Sequence, residues 1–389
     1  MDKNKIKTAK NTKNTVLTAL NLIVTVGFMI LVGREVGLFP DLAAPEAGAG
    51  ASAGLLLLGF ALFFLFYLLT ILLHEAGHLV FGLLTGWRFT SFRVGNLTLI
   101  RRGGRFLLRR ANLPGTAGQC LLEPPDGGYE NCPSALYHLG GGLMNLIVGA
   151  VALAIAFALP PVAGSVLRVL ALVNFAVAAS NLIPTSRKGM TNDGYLAAEL
   201  KNDPRSREAS YLLLKAYAAL IRVTYFNELP EELVRDILGY ECRDLTSVSE
   251  ANVYFYRSDF ALYRGDYADA KAVSERLAYG EGVLEMFRKE AREKLLYFAL
   301  MDGAPREEIE RLYDPALKEH LKKKPDIPAT RRLMYAIKLL YEKDEAAAER
   351  EYQALLKMPE TAVCAAEAYA EINEASRLRE KANTLSPEG

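Results

Sequence analysis

From Gly54 to Trp87 the chain runs 34 residues with no charged or strongly polar group except His74, Glu75 and His78. As a helix this run is ~50 Å long, against a hydrocarbon core of ~30 Å. Nothing else in the sequence restricts the fold as much. A stretch this apolar cannot be one face of a soluble helix, because no polar stripe is left for water. Three ionisable groups inside it are expensive at membrane depth, and such groups mark a functional site by default.

Three further apolar runs accompany it. Val16–Val32 follows the lysine-rich opening MDKNKIKTAKNTK, while Ala135–Leu159 and Ala163–Ile183 are separated by Pro160-Pro161. The first could be the apolar part of a cleaved signal peptide, but it is long for one and reads as an uncleaved anchor. Four spans result. The five N-terminal lysines and the seven arginines of 88–133 set the orientation: by the positive-inside rule both termini lie in the cytoplasm. Trp87 then falls at the inner interface.

Charge divides the chain in two. Residues 1–200 hold 16 Lys/Arg and 10 Asp/Glu, and residues 201–389 hold 30 and 35. The first part is far too sparsely charged for a soluble domain and the second is ordinary. The overall net charge of +1 gives no electrostatic footprint for nucleic acid. The four cysteines form no CxxC pair, which excludes a disulfide scaffold or a Cys-type zinc finger, and they read as free thiols.

Between the second and third spans, Leu97–Ile100 and Phe106–Leu108 flank Arg102-Gly103-Gly104-Arg105, a hairpin signal. Ala117–Leu122 reads as another strand, so a small cytoplasmic-side sheet is expected. Beyond Leu200 the pattern is amphipathic and helical. Tyr211–Phe226 is apolar, but Lys215 and Arg222 make it a buried soluble helix rather than a fifth span. Leu262–Ala268, Leu300–Ala304 and Leu340–Ala346 each look like a helix end, a turn and a new helix start. Their spacing of roughly 38–40 residues suggests tetratricopeptide-like hairpins, with an unrelated bundle as the alternative. The expected architecture is a mostly α polytopic membrane protein with a small sheet and a soluble all-α helical-repeat domain. Its domains are 1–53 (tail, first anchor and outer connection), 54–200 (membrane core) and 201–389 (helical repeats).

His74-Glu75-Ala76-Gly77-His78 is an HExxH motif. On a helix its two imidazoles share a face and can grip one Zn²⁺, with Glu75 as general base toward water. The third ligand is left open. The HExxHxxGxxH form fails, because Phe81 and Leu84 stand where Gly and His are needed. No acid follows Glu75 until Glu123, which excludes the soluble form with a glutamate shortly downstream. Between Asn131 and Asn192 there is no acid at all, so Asp193 is the first after the third and fourth spans. His138, near the start of the third span, is the rival ligand. His320 lies in the charged half and reads as surface.

These residues resemble the site-2 protease family of intramembrane zinc metalloproteases over roughly residues 54–200. The family's elements occur in order: HExxH at His74–His78, GxxxN at Gly141–Asn145, and Asn181-Leu182-Ile183-Pro184 followed by Asp193-Gly194. The resemblance implies one zinc ion on His74, His78 and Asp193, with Glu75 activating water. It also implies Asn145 and Asn181 as catalytic helpers holding the substrate carbonyl or oxyanion, although a buried Asn145 equally reads as packing glue between spans. The implied partners are the lipid bilayer and a membrane protein or peptide substrate presented as an added strand, with no nucleic acid. A protein regulator would bind 201–389. The sequence departs from the family in having Gly142 where proline is usual and about four extra residues between Pro184 and Asp193. It also shows no PDZ-like insert. The rival reading is a catalytically inactive, membrane-tethered scaffold that uses the helical repeats to bind partners.

Overall fold

The computed structural model describes residues 3–46, 48–110, 117–187, 190–324 and 326–385. Among them the chain is mostly helical with a small antiparallel sheet. It divides into two compact units, Met1–Val94 with Thr116–Gly127 and Asn131–Pro204, and Gly95–Gly115 with Gly128–Glu130 and Arg205–Gly389.

The first unit holds helices α1 (Lys3–Ala43) and α2 (Ala49–Leu84), and strand β1 (Arg88–Val94). The second unit's hairpin, β2 (Leu97–Arg102) and β3 (Arg105–Arg110), follows in the chain. The first unit then resumes with β4 (Gly118–Glu123), α3 (Ser134–Ala156) and α4 (Pro161–Leu182). A two-residue-per-strand hairpin, β5 (Ser186–Arg187) and β6 (Met190–Thr191), leads into α5 (Asp193–Asn202). Four helices, Asn14–Asp41 within α1 and then α2, α3 and α4, are long and apolar enough to cross a membrane.

Burial in these helices is inverted relative to a soluble protein. On α2 the buried positions are Gly59, Thr70, His74, Glu75, Gly77, His78 and Gly82, while Leu57, Phe64 and Leu68 are each at least 60% exposed. Polar groups inside and large apolar side chains outside is the arrangement that a hydrocarbon solvent selects.

α1 is built into this unit. Val32 and Val36 pack with Val169 and Val173 of α4. Glu35 accepts from Arg168 Nε at 3.0 Å and from Ser165 Oγ at 2.9 Å, so the one charge is neutralised by the other. Asn21 Nδ2 lies within 3.0–3.2 Å of the carbonyls of Ala179, Ser180 and Ile183, at the C-terminal end of α4 where carbonyls run short of intrahelical donors.

β1 pairs antiparallel with β4, with a register break between Phe89 and Ser91. β2 pairs with β3 through the Gly103-Gly104 turn, where both glycines have positive φ. This hairpin groups with the helical unit, where Arg102 donates to the carbonyls of Ile221 at 2.9 Å and Val363 at 2.6 Å. Trp87 is buried. Its ring stacks on Tyr137 with centroids 4.2 Å apart, and Nε1 donates to Pro133 O.

The second unit continues with α6 (Pro204–Arg222), α7 (Glu231–Leu238), α8 (Val248–Arg264), α9 (Tyr267–Tyr279) and α10 (Glu285–Met301). Then come α11 (Arg306–Leu312), α12 (Pro315–Lys322), α13 (Pro328–Ala336), α14 (Glu345–Leu356), α15 (Met358–Thr361) and α16 (Ala365–Leu385). A π-helical turn, Ile337–Glu342, extends α13. The three repeat-like turns all fall at helix junctions, and each carries one left-handed residue: Gly265, Gly303 and Lys343. In the first and third an aspartate follows and caps the next helix, Asp266 accepting from Asp269 N and Asp344 from Ala347 N.

Candidate metal centre

His74 and His78 sit one helical turn apart on the buried face of α2, with their Nε2 atoms 3.2 Å apart. Asp193 opens α5, and its Oδ2 lies 3.1 Å from His74 Nε2 and 3.5 Å from His78 Nε2. The three groups come from positions up to 119 residues apart in the sequence.

Each imidazole is fixed by what its other nitrogen bonds. Asn145 is fully buried on α3, and its Nδ2 donates to Thr70 O at 3.1 Å and to Asn174 Oδ1 at 3.0 Å. Its Oδ1 is therefore the acceptor that faces His74 Nδ1 at 2.8 Å, so the proton of His74 sits on Nδ1. His78 Nδ1 donates to the Tyr137 carbonyl, also at 2.8 Å. Both Nε2 lone pairs then point at the Asp193 carboxylate, whose Oδ2 has no hydrogen-bond donor. Three electron-rich atoms converge with no proton to separate them, an arrangement that a cation relieves.

The spacing fits zinc. Nitrogen and oxygen ligands at ~2.0–2.1 Å in tetrahedral geometry lie ~3.3 Å from one another. The three observed separations run from 3.1 to 3.5 Å. Two imidazoles and one carboxylate are also a donor set that leaves a fourth position for water. The backbone leaves room for this group: a Cβ on Gly141 would stand 2.5 Å from both Nε2 atoms.

Asp193 reaches the histidines because the chain after α4 is pinned. Asn192 caps α5, its Oδ1 accepting from Tyr195 N at 3.0 Å and Thr185 N at 2.9 Å. Its Nδ2 donates at 2.7 Å to the carbonyls of Ser180 and Ile183. The extra residues between Pro184 and Asp193 form the β5–β6 hairpin, closed by Asn192 N donating to Thr185 O. The hairpin therefore absorbs the added length. Gly194 follows because a Cβ there would meet Leu182 O at 2.3 Å.

Glu75 is buried beside this group without joining it. Its carboxylate lies over Gly118 of β4, where a Cβ would come within 2.5 Å of Oε1. Arg93 of β1 is buried nearby, donates to Gly118 O at 3.3 Å and interacts electrostatically with Glu75.

Not every sequence candidate comes to the centre. His138 lies outside the three-ligand group; its ring packs 4.7 Å from Tyr137, and its Nε2 is buried with no partner. Asn181 Nδ2 donates to Val177 O at 2.9 Å, back into its own helix. Asn145 touches His74 and the neighbouring helices α2 and α4. Sequence reading missed Asn192, Tyr137, Asn174, Thr70, Arg93 and Gly118. Asn192 alone had a local signal, a capping residue immediately before an acidic helix start. No protein-family model, curated protein or solved structure matches this chain.

Proposed function

We propose that this protein is a zinc-dependent endopeptidase that hydrolyses peptide bonds of substrates in or beside a membrane span. The observation that carries the reading is the convergence of His74, His78 and Asp193 at 3.1–3.5 Å, with Glu75 beside them, in helices long enough to cross a bilayer. In this reading the three residues hold one zinc ion, and the sheet side faces the cytoplasm with both termini. Zinc bound there would acidify water and polarise a peptide carbonyl.

The chain's own groups supply the rest. Glu75 would take a proton from the attacking water and return it to the leaving amine. Arg93 keeps a positive charge near that carboxylate. β4 brings Gly118 to Glu75 and could accept an extended substrate segment by backbone pairing. A helical substrate must unwind for this, since its peptide groups are already paired and dry. The helical unit would select a substrate tail or receive a regulator.

The test is cleavage of a panel of single-span reporter peptides in proteoliposomes by wild type and Glu75→Gln. The substitution is expected to slow cleavage by about 10²–10⁴-fold, the usual contribution of a general base. Cleavage by Glu75→Gln at the wild-type rate would contradict the assignment, and no cleavage by wild type of any reporter would favour the scaffold.

A further inference from the structure

A second group of metal-type ligands lies in the helical unit, remote in sequence from HExxH. Glu290 and Glu293 are one turn apart on α10 and share a face. His320 of α12 meets them, with Nε2 3.0 Å from Glu293 Oε1 and 3.8 Å from Glu290 Oε1. The three ligand atoms lie within 4.8 Å of one another. His320, expected at the surface, is thus half-buried against two carboxylates, because α12 folds back onto α10.

Two observations point to a ligand. Glu293 is 7% exposed, and both its Oε1 and His320 Nε2 are buried without a hydrogen-bond partner. No aligned hydrogen bond is made although His320 Nε2 stands 3.0 Å and Lys324 Nζ 3.6 Å from Glu293 Oε1, and a divalent cation would meet the imidazole and both buried carboxylates at once. The same two glutamates also line a cavity of about 150 Å³ whose wall carries surplus negative charge. Its wall acids include Asp259, paired with Lys294 at 2.8 Å, and Glu371, paired with Arg332. Glu290, Glu293 and Glu367 remain without a cation from the wall. The cation that does reach the cluster is Lys324, which contacts Glu290 and stands 3.6 Å from Glu293.

We propose that Glu290, Glu293 and His320 form a second divalent-metal site, entered from this cavity, in which the Lys324 ammonium occupies the cation position when no metal is bound. One imidazole with two carboxylates suits zinc-class transition ions rather than magnesium or calcium, which take oxygen ligands alone. The site would tie α10 to α12 and so fix the wall of the cavity. It is independent of the membrane centre.

The experiment counts zinc on the full-length chain in detergent with His74→Ala/His78→Ala, which removes the membrane centre. That variant is expected to keep close to one zinc per chain, and adding His320→Ala is expected to bring it near zero. Because His320→Ala could lose zinc through misfolding, Lys324→Met is the complementary variant. It should tighten zinc binding about tenfold, the effect of removing a like charge ~4 Å away, whereas a structural ion pair would give no such gain. Millimolar magnesium should not displace the zinc. The proposal is overturned if the double variant takes up no zinc on titration, if zinc survives His320→Ala, or if Lys324→Met leaves the affinity unchanged.

Discussion

His74 Nδ1 donates to Asn145 Oδ1 across 2.8 Å, and this bond decides what the opposite side of the imidazole can do. Because the Asn145 amide nitrogen is committed to Thr70 and Asn174, its oxygen must face the histidine. The proton stays on Nδ1 and the Nε2 lone pair is delivered to His78 and Asp193. Asn145 thereby positions His74, and it links three helices while doing so.

Asn145→Ala should consequently weaken zinc binding by about 10–100-fold, the usual cost of removing a partner that orients a ligating histidine. Asn145→Asp keeps an acceptor toward Nδ1 and should recover part of the loss. Competition titration with a chromophoric chelator measures both. Equal affinity in wild type and Asn145→Ala would show that the bond does not orient His74.

Gly141→Ala places a methyl group 2.5 Å from both Nε2 atoms, where the two lone pairs converge. α3 tolerates alanine by propensity, so the helix should persist while zinc is lost. Circular dichroism and metal content, read on the same sample, separate the two effects. Full zinc occupancy in this variant would mean that the histidines can move aside.

The two asparagines beside α5 should behave differently. Asn192→Ala removes the cap of the helix that carries Asp193, a loss of ~1 kcal/mol locally, and should lower zinc affinity because Asp193 is no longer pinned. Asn181→Ala removes two bonds, both within α4, and should leave zinc affinity unchanged. The reverse ranking would place Asn181, and not Asn192, next to the metal ligands.

Lys343 holds φ at 59°, the position that Gly265 and Gly303 occupy in the two earlier turns. A left-handed conformation costs a side-chain-bearing residue ~1 kcal/mol relative to glycine. Lys343→Gly should accordingly stabilise the helical unit by about 0.5–1 kcal/mol, less what glycine adds to unfolded-chain entropy. A rise in the thermal midpoint checks this; a fall would show that the lysine side chain is needed at that turn.

The legible parts of this chain were those written locally. HExxH needs only the i, i+4 geometry of a helix, and the four apolar helices follow the apolar runs to within a few residues, apart from the extended ends of α1. The glycine turns at Gly103-Gly104 and Gly265 carry their own backbone signal. β1 escaped notice because its sequence, RFTSFRV, buries Arg93 and breaks register near Thr90, so no clean alternation exists to be read. His320 was misplaced because it looks exposed from its neighbours in sequence and is half-buried by a partner from another element, Glu293. The apposition of Glu75 and Gly118 is of the same kind, since it depends on where β4 packs against α2.

The central claim is that His74, His78 and Asp193 hold one metal ion. Its most direct measurement is zinc per chain in a His320→Ala background, with and without Asp193→Ala. The account predicts close to one zinc in the first and a clear loss in the second. Zinc fully retained without Asp193 would contradict it.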